Sequence, residues 1–302
     1  MANWRSRAVI VAILLAVPVT LANCGSVSFG IANAPAYFGS YTRSADIAYG
    51  REPRQTLDVY VPTGAARRPI VVFWYGGMWR KGTKEQYRFV GAALANAGYV
   101  AVLPDYRLYP PARFPQFIQD GALAVRWAHQ HATEIGGDAR ALFLMGHSAG
   151  AHLAATLALD ERYLREVGGS VEWVRGWIGL SGPYDLDPSF PRILREIFRA
   201  PYTAHDWQPI LLVGAHSPPA LLIHGKDDWV PVQQADLLAQ ALTGVGVPVD
   251  CRFYDGVSHF GTVAAFAVAL RAEAPSLADV RRFIDGTAAG TVPVAPCPDI
   301  GS

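Results

Sequence analysis

Cysteine, surplus charge and repetition are all scarce in this sequence, and each scarcity excludes something. Three cysteines in 302 residues (Cys24, Cys251 and Cys297) show neither C-x-x-C spacing nor a histidine cluster at metal spacing. A zinc site or a disulfide scaffold is therefore disfavoured. Cys251 and Cys297 could pair outside the cytoplasm, but nothing in the sequence brings them together, and both are expected to be free. With 26 Lys+Arg against 25 Asp+Glu the formal net charge is +1. No basic stripe is interleaved with aromatics, so a nucleic-acid partner is not expected. A small or uncharged partner is expected instead. Charged residues make up only 17% of a chain that is 51% hydrophobic, which excludes an intrinsically disordered chain. No internal repeat is visible, and the length fits one large α/β domain as readily as two smaller ones.

Long apolar runs are also few. The uncharged stretch Ala8–Ala22, preceded by Arg5 and Arg7, is shorter than the roughly 20 residues a membrane-spanning helix requires and reads as a secretory signal. Leu21-Ala22-Asn23-Cys24 follows it and resembles the bacterial lipobox, in which the cysteine is lipidated and becomes the new N-terminus. Asn23 departs from that pattern, because a small residue normally precedes the cysteine. Lipidation at Cys24 with membrane attachment, simple secretion and an uncleaved anchor remain the alternatives, and all imply export to the periplasm or beyond. The division expected is a signal peptide over 1–23, a linker over 24–45, a catalytic domain over 46–286 and a disordered tail over 287–302.

From Asp46 onward, short β-branched or aromatic runs alternate with longer helical patterns. The strand candidates are Leu57–Val61, Ile70–Tyr75, Tyr99–Leu103, Ala141–Met145, Gly176–Leu180, Ala220–Ile223 and Val249–Tyr254, several of them continuously apolar. Helices are expected over Lys84–Ala97, Phe117–His131, Ala149–Asp160, Val232–Thr243 and Ala264–Arg271, with Gly98 and Gly244 as C-terminal stops. The fold class is α/β, with a mostly parallel central sheet covered by helices on both faces. Five prolines, Pro183, Pro188, Pro191, Pro201 and Pro209, mark an irregular, cap-like insertion between the fifth and sixth strand candidates.

Gly146-His147-Ser148-Ala149-Gly150 stands between an apolar strand and a helical pattern, the context that G-x-S-x-G requires for a nucleophile. A serine hydroxyl needs a base within reach and a carboxylate to hold that base in the right tautomer. His259, in a loop after the last strand, is the best base. His147, His152, His224, His129 and His131 lie in motifs or helices where packing explains them, and His205 and His216 lie in loops. For the acid, His224-Gly225-Lys226-Asp227-Asp228-Trp229-Val230-Pro231 offers two adjacent carboxylates. Counting from the strand favours Asp228, and counting back from the helix favours Asp227. Asp227 is preferred on the argument that Val-Pro fixes the helix while the strand exit absorbs the missing residue; Asp185 is a third candidate. Backbone amides for a developing oxyanion are available at Ala149 and in the loop Tyr75-Gly76-Gly77-Met78-Trp79.

With these motifs in place the chain resembles the α/β-hydrolase superfamily, and within it the bacterial carboxylesterase and hormone-sensitive-lipase-like group with an H-G-G-x-W oxyanion loop. Asp105-Tyr106-Arg107-Leu108-Tyr109-Pro110 is similar to that group's D-Y-R-L-x-P segment. Two departures stand out: Tyr75 replaces the usual His, and the acid loop is one residue short. The resemblance implies Ser148 as nucleophile, His259 as base, the amides of Gly77, Met78 and Ala149 as oxyanion donors, and no metal or cofactor. It implies hydrolysis of short-chain or aryl esters through an acyl-enzyme, with Trp79 and Tyr184 beside an apolar pocket. A formamidase-like amide hydrolase on the same triad and a non-catalytic ligand-binding module on the same fold are the alternatives.

Overall fold

The computed structural model describes residues 24–64, 67–186 and 192–300. The expected signal segment 1–23, the insertion prolines Pro188 and Pro191, and the last two residues of the tail lie outside them. Eight strands form one sheet: β1 (Tyr41–Ala48), β2 (Thr56–Pro62), β3 (Arg68–Trp74), β4 (Val100–Pro104), β5 (Gly137–His147), β6 (Val174–Leu180), β7 (Ala220–Gly225) and β8 (Val249–Tyr254). Their order across the sheet is β1-β2-β4-β3-β5-β6-β7-β8, with β2 antiparallel to both neighbours and every pair from β4 to β8 parallel. The middle strands are apolar without alternation because both of their faces are covered; Ile70 to Trp74 is wholly buried. The helix Ala149–Leu159 lies at the centre of one face and is buried along nearly all of its length, which its run of alanines and leucines permits. No helix among the described residues is long and apolar enough to cross a membrane.

Four expectations are corrected. Residues 24–45 are not a linker: Cys24–Asn33 is helical, and the Asn33 side chain donates to Glu85 O (3.1 Å) and Gln86 O (3.0 Å) while accepting from Phe89 N (2.9 Å). Strand β1 then pairs with β2 across a bulge between Ser44 and Ile47. It sits at the sheet edge with most residues exposed, so its sequence carries no apolar run. The helix expected over Ala264–Arg271 breaks into a short turn, Gly261–Ala264, and a 3-10 turn, Val268–Leu270, with Ala267 extended between them. The helix that packs on the sheet there is Ser276–Ala288, whose buried Val280, Phe283, Ile284 and Thr287 fall at helical spacing.

The remaining two corrections belong together. Cys251 and Cys297 are not free but form a disulfide, their Cα atoms 4.7 Å apart. The tail, expected to be disordered, is held beside β8 by that bond and by Cys251 N donating to Ala295 O at 3.2 Å. Val292 and Ile300, partly buried, pack against the core from this segment. Order comes from the unpaired edge of β8, which offers main-chain groups to whatever lies alongside.

Candidate active site

Ser148 occupies the tight bend between β5 and the helix Ala149–Leu159, with φ 55° and ψ −122°. Such a backbone is strained for any residue with a Cβ, and the neighbours are glycines because the bend has no room. A Cβ on Gly146 would lie 2.1 Å from Gly150 O, and one on Gly150 would lie 2.1 Å from Trp74 O. The bend is pinned from β6 by Ser148 N donating to Leu180 O at 2.9 Å. The hydroxyl is thus presented at the C-terminal edge of the sheet, next to the helix N-terminus, where amide dipoles favour negative charge.

The candidate base and acid come from the loops after β8 and β7. His259 lies in the turn after β8, and its Nδ1 is 2.7 Å from Asp228 Oδ1, with both side chains buried. Asp228 Oδ1 also accepts from Val230 N at 2.7 Å. Burial pushes the Asp228 carboxyl up, but the His259 hydrogen bond and charge, with the Ser181 hydroxyl and His224 nearby, outweigh it and hold the carboxyl below the usual carboxylate range. Asp227, the preferred acid by sequence, is exposed, and it is Asp228 that pairs with His259. The reason lies in the β7–β8 ladder. Lys226 N donates to Tyr254 O at 2.9 Å and Asp227 N to Val257 O at 3.2 Å, so pairing fixes the loop as far as Asp227. The shortening is therefore absorbed at the helix side, where the helix begins only at Gln233. Asp185 is tied to Gln234 instead, its main-chain N–H donating to Gln234 Oε1 at 2.6 Å.

Two histidines set aside as packing residues turn out to hold these loops. His147 Nε2 is 2.9 Å from the main-chain oxygen of His259, and His224 Nε2 is 2.9 Å from Val230 O. A carbonyl only accepts, so each ring carries its proton on Nε2. His152 likewise meets Trp207 O at 2.6 Å. His129 and His131 stack on Trp173 and Trp127, and His205 and His216 are exposed. The signal for His147 and His224 was their place at strand ends, directly before the Ser148 bend and the Asp228 loop.

Burial lowers His147 to about 3, reinforced by the nearby His259 charge, and lowers His152 to about 4. The unfolded chain protonates these rings as pH falls through about 6.5, whereas the folded chain does not. Their stabilisation is thus complete above that value and lost as acid is added. Between pH 7.5 and 4.5 each should cost the fold about 2 to 3 kcal/mol. The check is the urea midpoint across this range, which should begin to fall near pH 6.5; a flat profile down to pH 5 would contradict it.

The loop after β3 carries the third component. Gly77, Met78 and Trp79 all have positive φ (135°, 53° and 55°), and a Cβ on Gly77 would lie 2.0 Å from Lys81 O. The loop lies directly on Ser148, since a Cβ on Gly76 would be 2.8 Å from that of Ser148. Among the described residues the N–H groups of Gly77 and Met78 have no protein acceptor. The Ala149 N–H, at the first helical position, has none within its helix. These three amides are the ones sequence reasoning singled out. Tyr75, the departure from the usual His, braces the loop: its hydroxyl donates to Asp105 Oδ1 at 2.7 Å and accepts from Arg54 Nη2 at 2.8 Å. Asp105 Oδ1 also takes Lys84 N at 2.9 Å, and Tyr106, stacked on Tyr75, donates to Tyr75 O at 2.8 Å.

A cavity of about 220 Å³ opens beside Ser148, walled by Met78, Trp79, Pro183, Leu186, Leu194 and Trp229. Its walls are apolar. The insertion between β6 and β7 supplies three of them, so it does cover the pocket. Tyr184, expected beside it, is instead fully buried against Trp177.

A serine on a strand-to-helix elbow, over a sheet of this order and direction, places the chain in the α/β-hydrolase superfamily. Its similarities there fall in the carboxylesterase group. The BD-FAE family model matches residues 57–178. The chain is 35% identical over 228 residues to esterase LipC of Mycobacterium tuberculosis, an alignment covering 68% of this chain and 56% of the relative. It is 31% identical over 248 residues to a probable isoprenylcysteine alpha-carbonyl methylesterase of Arabidopsis thaliana, covering 74% of this chain and 52% of the relative. The chain thus spans about half the length of the curated relatives it matches. Among solved structures, esterase B of Lactobacillus rhamnosis superposes with a TM-score of 0.75 at 21% identity, over 88% of this chain and 94% of that one, which establishes the shared fold.

Proposed function

We propose that the protein is a serine carboxylesterase acting on small esters with a short apolar or aryl acyl group. The observation that carries this reading is the 2.7 Å His259–Asp228 pair, its imidazole 4.9 Å from the ring of His147, the residue directly before a serine held on a strained elbow. Asp228 occupies Nδ1 of His259, so Nε2 is the free nitrogen that takes the Ser148 proton as Oγ attacks the ester carbonyl. The carbonyl oxygen becomes an oxyanion, and the amides of Gly77, Met78 and Ala149 stabilise it, each donor worth roughly 3 kcal/mol of barrier. The imidazolium returns its proton to the leaving alcohol. Water, deprotonated by the same ring, then cleaves the acyl-enzyme. The apolar cavity suits the acyl group, because it offers a charged chain no partner.

The test is hydrolysis of p-nitrophenyl acetate and butyrate together with labelling by a fluorophosphonate. Turnover of both esters and a covalent adduct mapped to Ser148 are expected. An intact, folded chain that gives neither would remove the hydrolase reading. We further propose that residues 1–23 direct export and that Cys24 is lipidated, holding the domain at a membrane. The Cys251–Cys297 disulfide supports a location outside the reducing cytoplasm. Under this reading Cys24→Ser shifts the protein from the membrane fraction to the soluble fraction.

A further inference from the structure

We propose that Trp229 and Phe260 form a leaving-group subsite selecting esters whose alcohol presents a flat apolar ring. The proposal rests on the reading of His259 as the base. The proton that His259 delivers goes to the leaving oxygen, so the alcohol must depart from the edge of that ring. Whatever brackets His259 is what the rest of the alcohol meets. Two aromatic side chains bracket it. The Trp229 ring lies 4.3 Å from the His259 ring at 45°, and the Phe260 ring lies 5.6 Å away at 87°. Each follows its catalytic partner directly in sequence, Trp229 after Asp228 and Phe260 after His259.

Both rings are unusually open, Trp229 at 63% and Phe260 at 54% exposure, although the histidine between them is buried. Their backbones are nevertheless fixed. Val230 is held through Asp228 Oδ1 on its N–H (2.7 Å) and His224 on its carbonyl (2.9 Å). Phe260 opens the turn Gly261–Ala264, with Ala264 N donating to Phe260 O at 2.7 Å. Two rigidly mounted, solvent-facing aromatic surfaces gain free energy when a complementary ring covers them. A methyl or ethyl alcohol offers no ring with which to cover either face. Trp229 also walls the cavity that takes the acyl group, whereas Phe260 does not, so Trp229 borders both the acyl cavity and the alcohol subsite while Phe260 belongs to the alcohol subsite alone.

The experiment holds the acyl group constant and varies the alcohol. For 2-naphthyl acetate and ethyl acetate, kcat and KM are measured in the full chain and in Phe260→Ala, Trp229→Ala and Phe260→Tyr. The preference for the naphthyl ester, as a ratio of kcat/KM values, should fall roughly 5-fold to 10-fold in each alanine variant, the range that ring–ring contacts support. The loss should appear chiefly in KM, and Phe260→Tyr, which keeps the ring, should retain the preference. Equal proportional losses on both esters in an active enzyme would overturn the subsite alone. A wild-type chain that cleaves neither ester and resists fluorophosphonate would overturn both the subsite and the hydrolase reading.

Discussion

Asp228→Asn is expected to lower kcat for ester hydrolysis by about 10⁴, and Asp227→Asn to leave it within about twofold. The contrast follows from what each carboxylate touches. Asp228 accepts the Nδ1 proton of His259, which fixes the tautomer that leaves Nε2 free to act as base. An asparagine amide can present its N–H₂ to the same nitrogen, turning the ring to the tautomer whose Nε2 is already protonated. It also removes the negative charge that would steady the imidazolium. Asp227 faces solvent, and only its main chain takes part in the loop, through the hydrogen bond to Val257 O that asparagine keeps. Turnover of p-nitrophenyl acetate by the two variants decides between them. The reverse ranking would require a loop arrangement other than the one described.

Much of this site could be read before any coordinates, and the parts that could not share a cause. The elbow was legible because a sharp bend between a buried strand and a buried helix demands glycines at fixed offsets around the serine. Seven of the eight strands were legible, the central ones for a similar reason: burial on both faces forces continuous apolar runs. Strand β1 was not, since an exposed edge strand satisfies its partner through main-chain bonds and leaves its side chains free to be polar. The acid was ambiguous because the motif constrains both a strand end and a helix start. Only the register Gly225 to Tyr254 in the β7–β8 ladder shows which end was held. The disulfide was invisible for the same reason: no local spacing joins Cys251 to Cys297, 46 residues on, and only the docking of the tail on β8 brings them together. His147 and His224 were discounted because a histidine inside a motif is more often filling space. Their chemistry depends on which carbonyl lies opposite, and sequence does not specify that.

Ser148→Ala is expected to lower kcat by about 10⁵ to 10⁶, leaving a residual rate of roughly 10³ over the uncatalysed reaction from the amides of the oxyanion loop and from binding. Stability should barely change, because alanine inherits the same backbone, and the hydrogen bond from residue 148 N to Leu180 O involves no side chain. Ser148→Gly separates strain from chemistry. At φ 55° and ψ −122° a Cβ is strained, at a cost of order 1 to 3 kcal/mol, whereas glycine adopts this region freely. The glycine variant loses an unfolded-state advantage as well, since glycine has more freedom to surrender on folding, so the net gain should be about 1 kcal/mol. Both variants should be equally inactive, and only the glycine variant should unfold at higher denaturant concentration. If alanine and glycine unfold together, the bend is not strained at this residue. If the alanine variant keeps wild-type turnover, the nucleophile is another group. The elbow would then explain the stability gained by Ser148→Gly without explaining any chemistry, so activity and denaturation must be measured on the same preparations.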